Sequence, residues 1–321
     1  MKTVFIVNPK AGKGKAKAKL IENLASTILE KKLDAEIYVT KCPGDATRFV
    51  KEYCEKYGGV RFIACGGDGT LSEVLNGAMG QMNAEVGVFP VGSGNDFCRN
   101  FPEDTDFSNL FLQVTAEAIP CDALRYTTVV DGAEKVGYCA NMFNIGFDCK
   151  VADTTNHLKE KTAFGGSFAY VLAILMEWIR KKTMFLTVSA DGQVVHQGET
   201  LLTSVANGKY CGGGIMSNPM ASLTDGKLNF NIIKNVSRFR LLSLLPSYQK
   251  GTHLERKGID QILLSRHCRK LIVTPKKEGL HLCIDGEIIT AGETVFEVVP
   301  AAFRLVLPVA AQKESNLLGL G

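Results

Sequence analysis

The chain has 321 residues, 45% hydrophobic and 22% charged, with 37 Lys and Arg against 33 Asp and Glu, a formal net charge of +4. At ~150 residues per domain this length predicts about two domains, each large enough to bury a core. The composition excludes disorder, collagen, a coiled coil and a polytopic membrane protein, and the small positive surplus gives no reason to expect a nucleic-acid partner.

The first third alternates strand and helix. Val4–Asn8 is a β-branched run entered after a single lysine, with no signal-peptide layout. Lys15–Lys32 carries Leu20, Ile21, Leu24, Ala25, Ile28 and Leu29 on one helical face. Ala35–Thr40 reads as a strand, Asp45–Lys56 as a helix, Val60–Cys65 as a strand, Leu71–Met79 as a short helix and Glu85–Pro90 as the next strand. This order predicts a three-layer α/β/α domain around a parallel sheet, its ligand site beyond the carboxyl ends of the strands.

Near Pro120 the texture changes. Ala123–Val130, Asp131-Gly132 and Lys135–Ile145 read as a hairpin, and Thr183–Asp191 and Glu199–Asn207 flank another Asp-Gly. Leu228–Lys234, Ile259–Ser265, Lys270–Thr274 and His281–Asp285 continue the strands, interrupted by helices near 167–181 and 239–250. These elements predict an antiparallel, β-sandwich-like domain. The expected boundaries are 1–122 for the α/β domain and 123–293 for the β-rich domain. Strands within 294–308 could belong to either, and 309–321 reads as a flexible tail.

Ten cysteines lie singly in apolar segments with no C-x-x-C pair, so they read as small hydrophobes in a reducing, cytoplasmic compartment. Ala163–Met176 is apolar or small and is followed by Trp178-Ile179-Arg180-Lys181-Lys182. At ~1.5 Å per residue it reaches about 21 Å, short of the ~30 Å hydrocarbon core. It is either a buried helix or an interfacial helix with a Trp/Lys/Arg rim.

The chemistry concentrates in glycine loops, to which 32 glycines draw attention. Cys65-Gly66-Gly67-Asp68-Gly69-Thr70-Leu71-Ser72-Glu73 leaves a buried strand and opens a helix. Thr70 and Glu73 have capping-box spacing, which starts the helix at the end of the glycine run. Backbone N–H groups at such a helix start, unobstructed by side chains, suit phosphate; a tight turn before an ordinary helix is the plainer alternative. Asn8-Pro9-Lys10-Ala11-Gly12-Lys13-Gly14-Lys15 follows the first strand, and six lysines with no acid fall in the first nineteen residues. Val91-Gly92-Ser93-Gly94-Asn95-Asp96-Phe97 follows Pro90. If adjacent parallel strands supply all three loops, they enclose one polyanion pocket. The chain has no P-loop, no G-x-G-x-x-G in the first βα turn, no esterase elbow and no H-E-x-x-H.

In order, N-P-K-A-G-K-G (8–14), T-x-x-x-G-D-A (40–46), G-G-D-G-T-L-S-E (66–73) and G-S-G-N-D-F (92–97) resemble the diacylglycerol kinase catalytic-domain family, which includes sphingosine and ceramide kinases and soluble bacterial lipid kinases. Asn207-Gly208, Gly212-Gly213-Gly214, Asp225-Gly226-Lys227-Leu228 and Ile284-Asp285-Gly286-Glu287 extend the resemblance to about residue 308. It implies an NAD-kinase-like first domain, with ATP and the active site in an interdomain cleft. Gly66, Gly67, Asp68, Gly69, Thr70, Leu71 and Ser72 would hold the ATP phosphates. Asn8, Pro9, Lys10, Ala11, Gly12, Thr40 and Ser93 would complete the nucleotide site, and Asn95 would support its loop.

Asp285 matches the family's general base and Glu287 could orient it. Asp225, with main-chain oxygens of Ser222 and Lys227, matches the family's magnesium loop; hard oxygen ligands suit Mg²⁺. By spacing alone Asp285-Gly286 is one of five Asp-Gly pairs, and such pairs are usually turns. The resemblance implies a Mg²⁺- and ATP-dependent kinase acting on a lipid alcohol such as diacylglycerol. Such a protein would be cytoplasmic and would touch a membrane surface transiently. Helices around Phe168–Trp178 and Leu241–Tyr248 are candidates to line an acyl-chain pocket, ordinary core being the plainer alternative. The rivals are a small-molecule kinase sharing only G-G-D-G-T, such as an NAD kinase, and a nucleotide- or lipid-binding protein without catalysis. The lipid and the oligomeric state are not legible.

Overall fold

The structure, a computed structural model, describes residues 1–12, 15–81, 83–161, 166–276, 279–284 and 287–309, with the backbone alone at 15–17, 156, 159–161 and 166–171. The chain divides into two compact units, one of residues 1–121 with 301 onward, the other of residues 122–300.

In the first unit β1 (Lys2–Val7), β2 (Ala35–Val39), β3 (Val60–Gly66) and β4 (Ala84–Pro90) pair in parallel with the last part of β15 (Thr294–Val306), in the order β2-β1-β3-β4-β15. β3 is buried along its whole length, as a parallel strand covered on both faces must be. Phe5, Val7, Ile63 and Cys65 point to one face, where α1 (Lys15–Glu30) and α4 (Leu110–Thr115) supply Leu20, Leu24, Leu110 and Val114. Phe62, on the alternate face, meets Tyr53 of α2 (Asp45–Tyr57) edge-on at 5.9 Å. There α2 packs beside α3 (Asp68–Ala78), which lies on β3 and β4. The unit is a three-layer α/β/α sandwich.

The strand order reverses beside β1: the chain runs outward to β2, then crosses back to place β3 on the other side. In such sheets the crevice beyond the carboxyl ends at the reversal is the ligand position.

The second unit is the expected β sandwich, and each of its described strand registers is antiparallel. β5 (Ala118–Val130) and β6 (Ala133–Cys139) turn through Asp131 and Gly132, both at positive φ (51° and 80°). The strand expected over 135–145 is two, because the chain breaks at Ala140-Asn141 before β7 (Met142–Gly146). β8 (Met184–Ala190) turns through Asp191-Gly192 directly into β9 (Gln193–Ala206), which starts six residues before the expected strand.

β9 pairs β8 with its first half, and β7 and β10 (Leu228–Lys234) with its second. β11 (Leu263–Cys268), β12 (Lys270–Pro275), β13 (Leu280–Ile284), β14 (Glu287–Ala291) and the first part of β15 complete the unit around Leu124, Phe143, Val205, Phe230, Leu271 and Phe296. A second cluster, with Phe147, Leu201, Ile233 and Leu244, seats α5 (Phe147–Lys161), α6 (Gly166–Arg180) and α7 (Arg238–Lys250). α5, absent from the sequence-based expectation, begins where β7 ends.

All ten cysteines are free. Among the described residues no helix is long and apolar enough to cross a membrane.

Candidate active site

Three loops leave the carboxyl ends of β1, β3 and β4 and are bonded to one another. Asn8 follows β1; its N–H donates to Cys65 O (3.1 Å) across the strand pair. Its side-chain Nδ2 donates to Thr70 Oγ1 in the first turn of α3 (3.1 Å), and its Oδ1 accepts the Lys10 N–H (2.9 Å). One asparagine thereby ties the first loop to the start of α3 and shapes its own turn, with Ala11 N donating back to Asn8 O (3.1 Å). Pro9 and Ala11 are half-buried, Lys10 and Gly12 of the same turn are exposed, and Gly12 takes φ 69°. Thr40, just past β2, joins them because its N–H donates to Val7 O (3.0 Å).

The glycine loop after β3 is pinned to the loop after β4. Gly66 O accepts the N–H groups of Val91 (3.0 Å) and Gly92 (3.2 Å), and the backbones then touch. A Cβ on Gly92 would lie 2.4 Å from the Gly67 Cα, and one on Gly66 would lie 2.1 Å from Thr70 Oγ1. The Asp68 carboxylate accepts the N–H groups of Asp96 (3.2 Å) and Phe97 (3.1 Å). Asn95 stands at positive φ (53°) and donates to Gly92 O (3.0 Å), closing the loop on itself and leaving Ser93 exposed.

The capping box expected of Thr70 and Glu73 does not form. α3 starts three residues earlier than expected, at Asp68, with Gly67 as a cap that has no side chain to offer. Thr70 Oγ1 instead accepts from Asn8, and Glu73 accepts the Ala46 N–H at the start of α2 (3.1 Å). An uncapped first turn keeps N–H groups available to a bound anion, and the helix dipole favours negative charge there. Leu71 is buried beneath the turn and Ser72 half-buried beside it. Cys65 is fully buried, and burial pushes its thiol far above the range of a nucleophile.

The second unit holds the remaining expected residues. Asp285 lies outside the described residues; Ile284 before it pairs across the strands with Glu287, which opens β14 and is exposed. Asp225 is exposed, and its Oδ1 accepts the Lys227 N–H (3.0 Å) in a local turn. The buried Asp122 accepts the Gly226 N–H (2.7 Å) and donates its own N–H to Leu223 O (2.8 Å), fastening the Ser222–Lys227 turn to β5. Asp122 is 104 positions from Gly226, and no local pattern in the sequence singles it out.

One exposed carboxylate with main-chain oxygens is a hard-oxygen donor set of the kind Mg²⁺ takes, water filling the rest. Among the described residues no group of three or more His, Cys, Asp or Glu is placed to hold a metal.

The pattern described as "Diacylglycerol kinase catalytic domain" matches residues 2–125. That of the "YegS C-terminal NAD kinase beta sandwich-like domain" matches residues 141–307, more than half of the chain. The chain belongs to the diacylglycerol kinase catalytic-domain family. It is 30% identical over 271 residues to a Shewanella frigidimarina protein named "Probable lipid kinase YegS-like", covering 82% of this chain and 81% of that one. With a Mycobacterium tuberculosis diacylglycerol kinase it shares 25% identity over 315 residues, 96% of this chain and 95% of the relative. The crystal structure of a diacylglycerol kinase from Bacillus anthracis superposes with a TM-score of 0.64 at 22% identity, covering 95% and 96% of the two chains, a likeness of fold. As a member of this family the protein is a kinase, and the three bonded loops lie within its catalytic-domain match.

Proposed function

We propose that this kinase transfers the γ-phosphate of ATP to a hydroxyl group of a lipid, with diacylglycerol as the reference substrate. The observation that carries the reading is the hydrogen-bonded junction of Asn8 with Thr70 and of Gly66 with Gly92. It gathers three glycine-bearing loops at the strand reversal, around an uncapped helix start. The names of the relatives support the lipid as acceptor.

In this reading the glycine loop and the start of α3, over Gly66–Ser72, receive the ATP phosphates. Asn8–Gly12, Thr40 and Ser93 border the nucleotide, and Asn95 holds its loop. A neutral alcohol attacks phosphorus poorly unless its proton leaves as the new bond forms. Asp285 accepts that proton, and Glu287 orients the Asp285 site. Asp225, with the carbonyls of Ser222 and Lys227, would hold Mg²⁺. The metal that accompanies ATP neutralises charge on the phosphate oxygens when bound.

The test is ATP turnover against lipid alcohols in mixed micelles, with NAD assayed in parallel. Phosphorylation of a lipid is expected, and Asp285→Asn should lower kcat by about 10²-fold or more while ATP binding persists. Phosphorylation of NAD alone would sink the reading, and an Asp285→Asn enzyme as fast as wild type would remove Asp285 from it.

A further inference from the structure

Helix α7 has two apolar faces. Leu241, Leu244 and Tyr248 are buried under it, whereas Phe239 is 82% and Leu242 51% exposed. Residues three apart are neighbours on a helix surface, so Phe239 and Leu242 form one outward ridge. The end of α6 repeats the arrangement. Ala173 is buried and Trp178 packs on the core, while Leu175 and Ile179, four residues apart, are 50% and 59% exposed.

The two ridges are fastened together. Trp178 Nε1 donates to Arg238 O (2.9 Å), and the Arg238 guanidinium donates to the carbonyls of Trp178 (3.3 Å) and Ile179 (3.0 Å). Those carbonyls belong to the last turn of α6, which lacks helical partners. Arg238 thus brings the start of α7, with Phe239, against the end of α6, with Ile179.

The two segments that carry the ridge ends are basic, with exposed Asp153 and Glu199 as the acids beside them. Residues 180–182 and 238–240 read Arg-Lys-Lys and Arg-Phe-Arg, and Arg180, Lys182, Arg238 and Arg240 are exposed. The acid at the α6 end, Glu177, is buried and paired with Arg180.

We propose that these paired ridges dock on an anionic lipid bilayer. A contiguous apolar patch of this kind calls for a covering partner. A rim in which the exposed cations Arg180, Lys182, Arg238 and Arg240 outnumber the neighbouring acids Asp153 and Glu199 complements anionic headgroups, while Phe, Leu and Ile enter the acyl boundary beneath. The choice of a bilayer as occupant rests on the lipid-kinase reading, since an enzyme of that kind meets its substrate at a membrane.

The test is co-sedimentation of the full chain with phosphatidylcholine vesicles, with and without phosphatidylglycerol. The wild type should bind the anionic vesicles and release them as salt rises, the screening length falling from about 10 Å at 0.1 M to about 3 Å at 1 M. The double variant Ile179→Ser, Phe239→Ser should bind at least tenfold more weakly, and Arg240→Glu severalfold more weakly, both with unchanged thermal unfolding. Equal binding by the double variant overturns the proposal. So does a wild-type dimer that the double variant dissolves, because a second copy then covers the ridges. Turnover of a water-soluble short-chain diacylglycerol should be equal in wild type and double variant. Its absence from both would defeat the lipid-kinase reading and leave the vesicle result to judge the surface alone.

Discussion

Gly92 occupies a place that no other residue fits, because a Cβ there would lie 2.4 Å from the Gly67 Cα where the two glycine loops cross. A methyl group there must push backbone against backbone, and overpacking of this kind costs about 1–3 kcal/mol. Gly92→Ala is therefore expected to lower stability by that amount and to weaken ATP binding more than tenfold, measured by urea unfolding and nucleotide titration. A variant that binds ATP as wild type does would show that the crossing is not needed for the site. The glycine motifs themselves were legible as strings of residues. Their partners were not, because a pattern such as Thr70-x-x-Glu73 reports only local options, and the alternatives lay far along the chain. Thr70 is used by Asn8, 62 positions away, and Glu73 by Ala46, 27 positions away.

Among the helical elements of the second unit, the end of α7 packs Tyr248 against two titratable groups on other elements. Its hydroxyl donates to Asp148 of α5 (3.3 Å), and its ring lies 4.9 Å from that of His253. Burial pushes Asp148 up to about 6 and His253 down to about 4. The two act on stability in opposite senses. Between about pH 4 and 6 the folded state takes up a proton at Asp148 that the unfolded chain releases, so stability falls as pH rises through that window. Between about pH 6.5 and 4 the unfolded chain takes up a proton that buried His253 refuses, so stability falls as pH falls. Asp148→Asn should thus stabilise the protein at pH 7 by about 1–2 kcal/mol, and relative to wild type its advantage should shrink toward pH 4. His253→Phe should gain relative to wild type as the pH drops from 6.5 to 4. Urea midpoints at pH 5 and 7 check both; slopes unchanged from wild type would refute the assignment. The helices near 167–181 and 239–250 were legible from apolar spacing, but α5 was not. Its sequence Phe147–Lys161 is mostly polar, and its place is set by the core it covers.

At the scale of the whole molecule, a buried ion pair between β3 and β4 is tied through its carboxylate to the last strand of the chain. Arg61 of β3 donates to Glu85 of β4 at 2.9 and 2.6 Å, and its remaining N–H groups meet the carbonyls of Gln113, Val114 and Ala116 at the end of α4. Glu85 also pairs with Arg304 of β15 (3.4 Å), which itself donates to Ala118 O (2.7 Å). Removing Arg61 leaves Glu85 to Arg304 alone and takes the donor from three carbonyls, and breaking a buried pair costs about 3–5 kcal/mol. Arg61→Leu should lower unfolding stability by that much, and adding Glu85→Gln should recover part of it. A loss under about 1 kcal/mol would mean that water replaces the arginine.

The sequence alone determined the strand-helix alternation, the turn to antiparallel pairing near Pro120, the glycine loops and the family. Each is written in local periodicity, turn chemistry or contiguous motif, which need no partner to be read. Only the tertiary structure decided that β15 gives its first part to one unit and its last to the other, passing Ala301 at φ 48°. It alone decided that Asp122 holds the Asp225 turn, that α3 starts at Asp68, and that Arg238 locks α6 to α7. These depend on which distant groups meet once the cores close, and hydrogen bonds of that range leave no periodic trace in the chain.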